Sequence, residues 1–221
     1  MTILFYEDFR AYATRDDLTL AVTGSPWSSR TPTAINLNTA SGRSRARAGT
    51  PGRLAGALNA ASPDPKDVAI SAEFEFTTSA YGLTLGFSNP VFLPTVASSI
   101  SIAGAFYCLV ENFAGLANHA VAKLFHVTLV GTSGDSHNIQ MVAESAPFSR
   151  LAGRYFFDFH VKIDEAGMAT MRLAKDGTQI VSATVNVDNI NSGRQVRSLE
   201  LMHITTDAYF TNFVAYKPDE I

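Results

Sequence analysis

The amino-acid sequence predicts an all-β protein, an antiparallel sandwich of two sheets, and three observations carry that prediction. Tyr155, Phe157, Phe159, Val161 and Ile163 alternate with Asp158, His160, Lys162 and Asp164, which is the period-two signature of a half-buried strand. The two breaks that follow, Glu165-Ala166-Gly167 and Asp176-Gly177, carry turn chemistry. An Asp-Gly pair suits a two-residue hairpin because both central residues of a type I′ turn need positive φ. Finally, short apolar or alternating runs recur along the chain and no segment sustains a helical period, the spacing of a sandwich or barrel.

Taken in order, residues 3–9 read as the opening strand. From residue 11 to 33 a possible short helical turn at 14–18 mixes with Gly24, Pro26 and Pro32 and reads mostly as loop. Short strands are expected at 34–38 and 53–61, the second ending at Ser62-Pro63-Asp64-Pro65. Val68, Ile70, Ala72, Phe74 and Phe76 then alternate with Ser71, Glu73, Glu75 and Thr77, a strand with one face in and one out, and 83–87 continues after Gly82. Residues 88–104, with Pro90 and Pro94, read as a long excursion at one end of the sandwich. Strands at 106–112, 120–131 and 137–143 precede the three of the Arg154–Val187 run, and 196–204 and 208–216 close the chain, about a dozen in all.

With 221 residues, 46% hydrophobic and 17% charged, the chain has ample material for one core and is expected to form a single domain over 1–221, with an irregular Arg-rich segment at about 24–52. A net charge of −3 gives no global attraction for nucleic acid or an anionic membrane. No apolar run approaches the roughly 20 residues a spanning helix needs. The start, MTILFYEDF, lacks the pattern of a signal peptide and reads as a strand. Cys108, the single cysteine, lies in the apolar run FYCLVE and is expected to be a buried structural thiol.

The entry strand LFYEDF, with Glu7 and Asp8, resembles the start of the concanavalin A-like, laminin-G-like jelly rolls. The late block YFFDFHVKIDEAGMATMRLAKDGTQIVSATV is similar to the penultimate strands of that superfamily, and AYFTNFVAYK to its closing strand, which pairs with the first. The resemblance implies an antiparallel two-sheet jelly-roll sandwich. Its overall plan, a jelly roll without a signal peptide that begins within a few residues of the start methionine, resembles virion proteins of tailed bacteriophages. That implies a non-enzymatic structural protein made in the host cytoplasm and carried in the virion, as capsid decoration or tail-associated. Its partners would be neighbouring capsid or tail proteins, copies of itself and a possible host glycan, with no nucleic acid and no membrane. The alternative is a lectin-like module recognising host glycans.

Glycoside hydrolases of the laminarinase type share this fold and use two carboxylates on one strand. Glu73 and Glu75, at i and i+2, fall on one face, but Glu73-Phe74-Glu75-Phe76-Thr77 lacks the intervening Asp and the further Glu of that pattern. No catalytic residue is therefore assigned, and the pair is read as a solvated strand face. The histidines 119, 126, 137, 160 and 203 show no ligand spacing, so neither metal nor cofactor is expected. The clear charge asymmetry is Arg30, Arg43, Arg45, Arg47 and Arg53, with no acid between 30 and 53. In an extended SGRSRARAG the guanidiniums of 43, 45 and 47 would point one way, making this the candidate partner-binding segment. Trp27, in a loop context, with Tyr81 or Tyr107, is the candidate platform for stacking on a sugar ring.

Overall fold

The computed structural model describes residues 1–8, 27–30, 35–38, 43–46, 52–57, 66–76, 83–88, 106–129, 137–150, 153–187, 198–203 and 208–218. They contain sixteen strands. In chain order these are β1 (Thr2–Glu7), β2 (Trp27–Arg30), β3 (Ile35–Asn38), β4 (Arg43–Ala46), β5 (Gly52–Ala57), β6 (Asp67–Phe76), β7 (Leu83–Ser88) and β8 (Phe106–Asn112). They continue as β9 (His119–Leu129), β10 (His137–Glu144), β11 (Phe148–Ser149), β12 (Gly153–Ile163), β13 (Met168–Lys175), β14 (Thr178–Asn186), β15 (Ser198–His203) and β16 (Ala208–Lys217).

Two eight-stranded sheets result. Sheet A has the order β14-β13-β12-β6-β16-β4-β3, with β1 also on β16. Sheet B has the order β10-β9-β8-β7-β15-β5-β2, with β11 also on β9. The first and last strands pair antiparallel, Thr2 opposite Lys217. This is the all-β two-sheet jelly-roll sandwich that the alternation and the resemblance imply. Three strands go beyond the sequence reading: β2, β4 and the two-residue β11. The stretch 24–52, expected to be irregular, holds β2, β3 and β4, because each finds a partner in register: β2 on β5, and β3 on β4, which joins β16. The helical turn expected at 14–18 lies outside the described residues, as does the excursion expected at 88–104 apart from Ser88, which ends β7.

Alternation decides which side chains enter the core. Val68, Ile70, Ala72 and Phe74 of β6 and Phe157, Phe159, Val161 and Ile163 of β12 are buried from sheet A, and Leu83, Leu85, Phe87, Phe106, Cys108 and Val110 from sheet B. Phe159 stacks on Phe87 across the layers at 5.9 Å, and Phe157 meets Phe74 edge-on at the same distance. Cys108 is fully buried, and desolvation pushes its thiol up to about 12, the inert structural thiol expected. Asp176 and Gly177 both have positive φ, 50° and 79°, as a type I′ hairpin between β13 and β14 requires.

His126 is a polar intrusion into this interior. It is 4% exposed, stacked on Phe106 at 5.3 Å, and its Nε2 has no hydrogen-bond partner. Burial lowers its pKa from the ordinary 6.5. The unfolded chain therefore takes up the proton first, and the contribution of neutral His126, complete above pH 6.5, is lost as pH falls from there toward the lower folded value. Urea titrations at stepped pH should show stability declining below pH 6.5, and His126→Phe should flatten that part of the curve; an unchanged slope in the variant would assign the decline elsewhere.

Candidate functional site

Among the described residues, the outward face of sheet A presents one strongly exposed aromatic, Phe156, amid polar side chains. The β6–β12 register places Phe156 opposite Glu73 and Arg154 opposite Glu75. Residues directly opposite in a sheet share a face, with Cβ atoms about 4.5–5.5 Å apart. Phe156 is 43% exposed: β6 flanks it on one side, and on the other β13 ends at Lys175, opposite Phe157, so Phe156 faces the hairpin turn. Its backbone is held at both ends by the hairpin turn: its N–H donates to Asp176 Oδ1 at 2.9 Å, and its carbonyl accepts from the Asp176 N–H at 2.8 Å. The ring therefore stands on a fixed stem.

Around it the polar groups are mutually oriented. Arg154 lies between both glutamates, Nη1 at 3.4 Å from Glu73 Oε1 and Nε at 3.5 Å from Glu75 Oε2. Asn212 donates from its amide to Glu73 Oε2 at 3.2 Å. This last contact depends on a β-bulge. The β16–β6 register shifts between Thr211 and Val214, and Asn212 sits at φ 50°, the left-handed region that Asn tolerates better than most residues. A bulge re-aims the side chain it carries; here Phe213, the next residue, still turns into the core against Phe5. The result is one flat aromatic surface bordered by planar carboxylate, amide and guanidinium groups.

One turn of the pleat away, a second network lashes sheet A together. Tyr216 donates to Asp158 Oδ2 at 2.5 Å, His160 contacts Asp67, and Lys162 lies 3.7 Å from Asp67. Burial raises the pKa of Asp158 above the usual carboxylate range, and burial together with the Asp158 hydrogen bond raises that of Tyr216. These groups bond to one another across β6, β12 and β16, so the network braces the sheet under Phe156.

The sequence-derived candidates are distributed differently from expectation. Tyr107 does not offer a sugar platform: it is 2% exposed and stacked face to face on Phe125 at 4.7 Å. The reason is register, since Gly86, Tyr107 and Phe125 occupy one row and the missing Cβ at Gly86 lets Tyr107 lie close to the neighbouring strand. Trp27 stands not in a loop but at the start of β2, opposite Gly56. Four strand steps separate β2 from β8, which carries Tyr107, about 19 Å at the usual strand spacing. Tyr81 and Arg47 lie outside the described residues.

The arginines are divided between the layers: Arg30 on β2 and Arg53 on β5 belong to sheet B, and Arg43 and Arg45 on β4 belong to sheet A. Arg45 falls in the same cross-strand row as Glu75, through Tyr209. Glu73 and Glu75 share a face, as their spacing implies, and the arginine between them leaves them as an ion-paired surface. Phe156 and Asn212 were missed. Strict alternation puts Phe156 on the side of Asp158 and His160, and that parity was the available signal; nothing local announces the bulge at Asn212. Among the described residues no group of three or more His, Cys, Asp or Glu side chains could hold a metal ion.

No family model matches the sequence, and no curated protein matches it. Solved structures do match over nearly its whole length. The Emp47p carbohydrate recognition domain superposes with a TM-score of 0.56 at 12% identity, covering 97% of this chain and 98% of that one. Alginate lyase Aly36B, as a mutant in complex with alginate trisaccharide, gives 0.58 at 10% identity over 97% and 98%. The CBM2 module of the evolved Dit of Lactobacillus casei BL23 phage J-1 gives 0.54 at 10% identity over 100% and 98%. The fold is that of the concanavalin A-like, lectin-like sandwiches.

Proposed function

We propose that this chain is a non-catalytic glycan-binding sandwich of a tailed-bacteriophage virion, and that it holds sugar on the outward face of sheet A. The observation that carries the reading is Phe156, an exposed ring in a regular strand with Glu73 opposite it and Arg154, Glu75 and Asn212 at its border. A pyranose presents an apolar C–H face and an equatorial rim of hydroxyls. An aromatic on a rigid strand takes the first, and planar groups already held by one another take the second with little ordering cost. Whole-length likeness to a carbohydrate recognition domain and to a phage-borne module supports both halves of the reading. Glu73 and Glu75 share Arg154 and no third acid accompanies them, which favours binding over hydrolysis.

A glycan array followed by titration calorimetry tests this. Phe156→Ala is expected to weaken binding of any array hit about tenfold, the scale of one aromatic stacking contact, while leaving Tm unchanged. An empty array, or a hit indifferent to Phe156→Ala, would overturn the site.

A docking role on neighbouring virion subunits is the second reading, favoured by the position of Arg43 and Arg45 on β4, next to the edge strand β3. Charge reversal at both, with incorporation into particles as the readout, separates it from the first.

A further inference from the structure

We propose that the outer edge of β14 is the surface on which two copies of this chain pair, antiparallel about a two-fold axis at Ala183, joining their sheets A into one. Sheet A ends at β14, which among the described strands pairs with β13 alone. The end strand of a sheet turns alternate sets of N–H and C=O groups away from its neighbour, and folded proteins guard such edges with charge, proline, irregularity or shortness. The ends at β3 and β2 are short, four residues each. The end at β10 carries His137 and Glu144 and breaks register between Met141 and Ala143. β14 has none of these guards along most of its length. It runs nine residues, TQIVSATVN, with no charged residue and no proline, and its one register shift on β13, between Gln179 and Val181, leaves 181–186 regular.

The sequence of the strand says what fits it. Val181-Ser182-Ala183-Thr184-Val185 reads nearly the same in both directions about Ala183. Antiparallel pairing of two copies centred there sets Ser182 of each opposite Thr184 of the other, and Val181 of each opposite Val185 of the other. Hydroxyl meets hydroxyl on the outward face, where Ser182 and Thr184 are exposed, and β-branched meets β-branched on the inward face. Cross-strand pairs of both kinds favour a sheet, and no like charges are brought together. On the inward face Ala183 and Val185 pack on the core yet are only partly buried, and a second β14 laid alongside would cover them. A two-fold interface needs a patch complementary to itself, and that property singles out a second copy over an unrelated strand.

Sedimentation velocity on the full chain across a concentration series, with amide hydrogen exchange at each concentration, tests this. The wild type is expected to be in monomer–dimer equilibrium, with exchange at 181–185 slowing as dimer forms. Ser182→Glu with Thr184→Glu sets carboxylates opposite one another on both sides of the axis and should raise the dimer dissociation constant about tenfold or more. Ser182→Glu with Thr184→Lys sets opposite charges there instead and should keep that constant within about threefold of the wild type. Both variants give up the Thr170–Thr184 contact and both keep Arg172 across from position 182, so any loss from these sources falls on both alike, and Tm confirms that each is folded.

A wild type that stays monomeric at every concentration, with exchange at 181–185 indifferent to concentration, would overturn the proposal. A dimer untouched by the pair of glutamates would place the contact elsewhere on the chain. Loss of the dimer in both folded variants would rule out pairing centred on Ala183.

Discussion

Phe157→Ala should lower the free energy of unfolding by about 3–5 kcal/mol, the range for emptying a buried phenylalanine site. The residue is fully buried, meets Phe74 edge-on at 5.9 Å and lies 6.4 Å from Phe148. Phe74 is held on β6, whose register is fixed on each side by β12 and β16, and Phe148 on β11, paired with β9, so the hole has little means of closing. Phe156→Ala, one position along, should change stability by no more than about 0.5 kcal/mol, because that ring is 43% exposed on the opposite face. Urea denaturation of the two variants side by side makes the comparison. Equal losses would mean that Phe156 is packed rather than presented, and the proposed site would fall with it.

Gly86→Ala should be the most damaging single-methyl addition among the described glycines. A Cβ at Gly86 would lie 2.8 Å from the Cβ of Tyr107 and 3.0 Å from the carbonyl oxygen of Phe106. Neither atom can swing away as a side-chain tip could. Strands β7 and β8 would have to separate locally or tilt, disturbing the Gly86–Tyr107–Phe125 row and the stack at its centre. Overpacking of this kind costs about 1–3 kcal/mol, and more where backbone must move. Gly177→Ala is the companion measurement: its Cβ would meet nothing within 4 Å, but φ is +79°, so its expected loss of about 1 kcal/mol comes from the dihedral alone. If Gly86→Ala cost no more than Gly177→Ala, the close approach of β7 to β8 would not be needed for the fold.

The parts of this protein that read directly from the chain are those whose cause is local. The alternation from Tyr155 to Ile163 and from Val68 to Phe76 became β12 and β6, because period two is a property of neighbouring residues. Asp176-Gly177 became the hairpin because positive φ is a property of those two residues. The strands β2, β4 and β11, of two to four residues, are too short to show a period; they exist only because β5, β16 and β9 offer an edge in register.

The site divides in the same way. The shared face of Glu73 and Glu75 is visible in their i, i+2 spacing. That Arg154, 79 residues beyond Glu75 in the sequence, would lie between them is not, since it depends on where β12 pairs with β6. Tyr107 illustrates the converse. Its aromatic character suggested a sugar platform, but exposure is a property of the assembled sheet, and there Phe125 and the space over Gly86 claim the ring.

Composition, alternation and turn residues were therefore enough to establish a two-sheet β-sandwich and to name most of its strands, since each of those signals acts over a few residues. Only the folded chain decided which pairs of strands meet, that Phe156 faces outward between an arginine and two glutamates, and that a one-residue bulge delivers Asn212 to Glu73. A single slip of register would have exchanged every inward and outward side chain of a strand, and the energy that forbids the slip lies in the shared core, between residues far apart in the sequence.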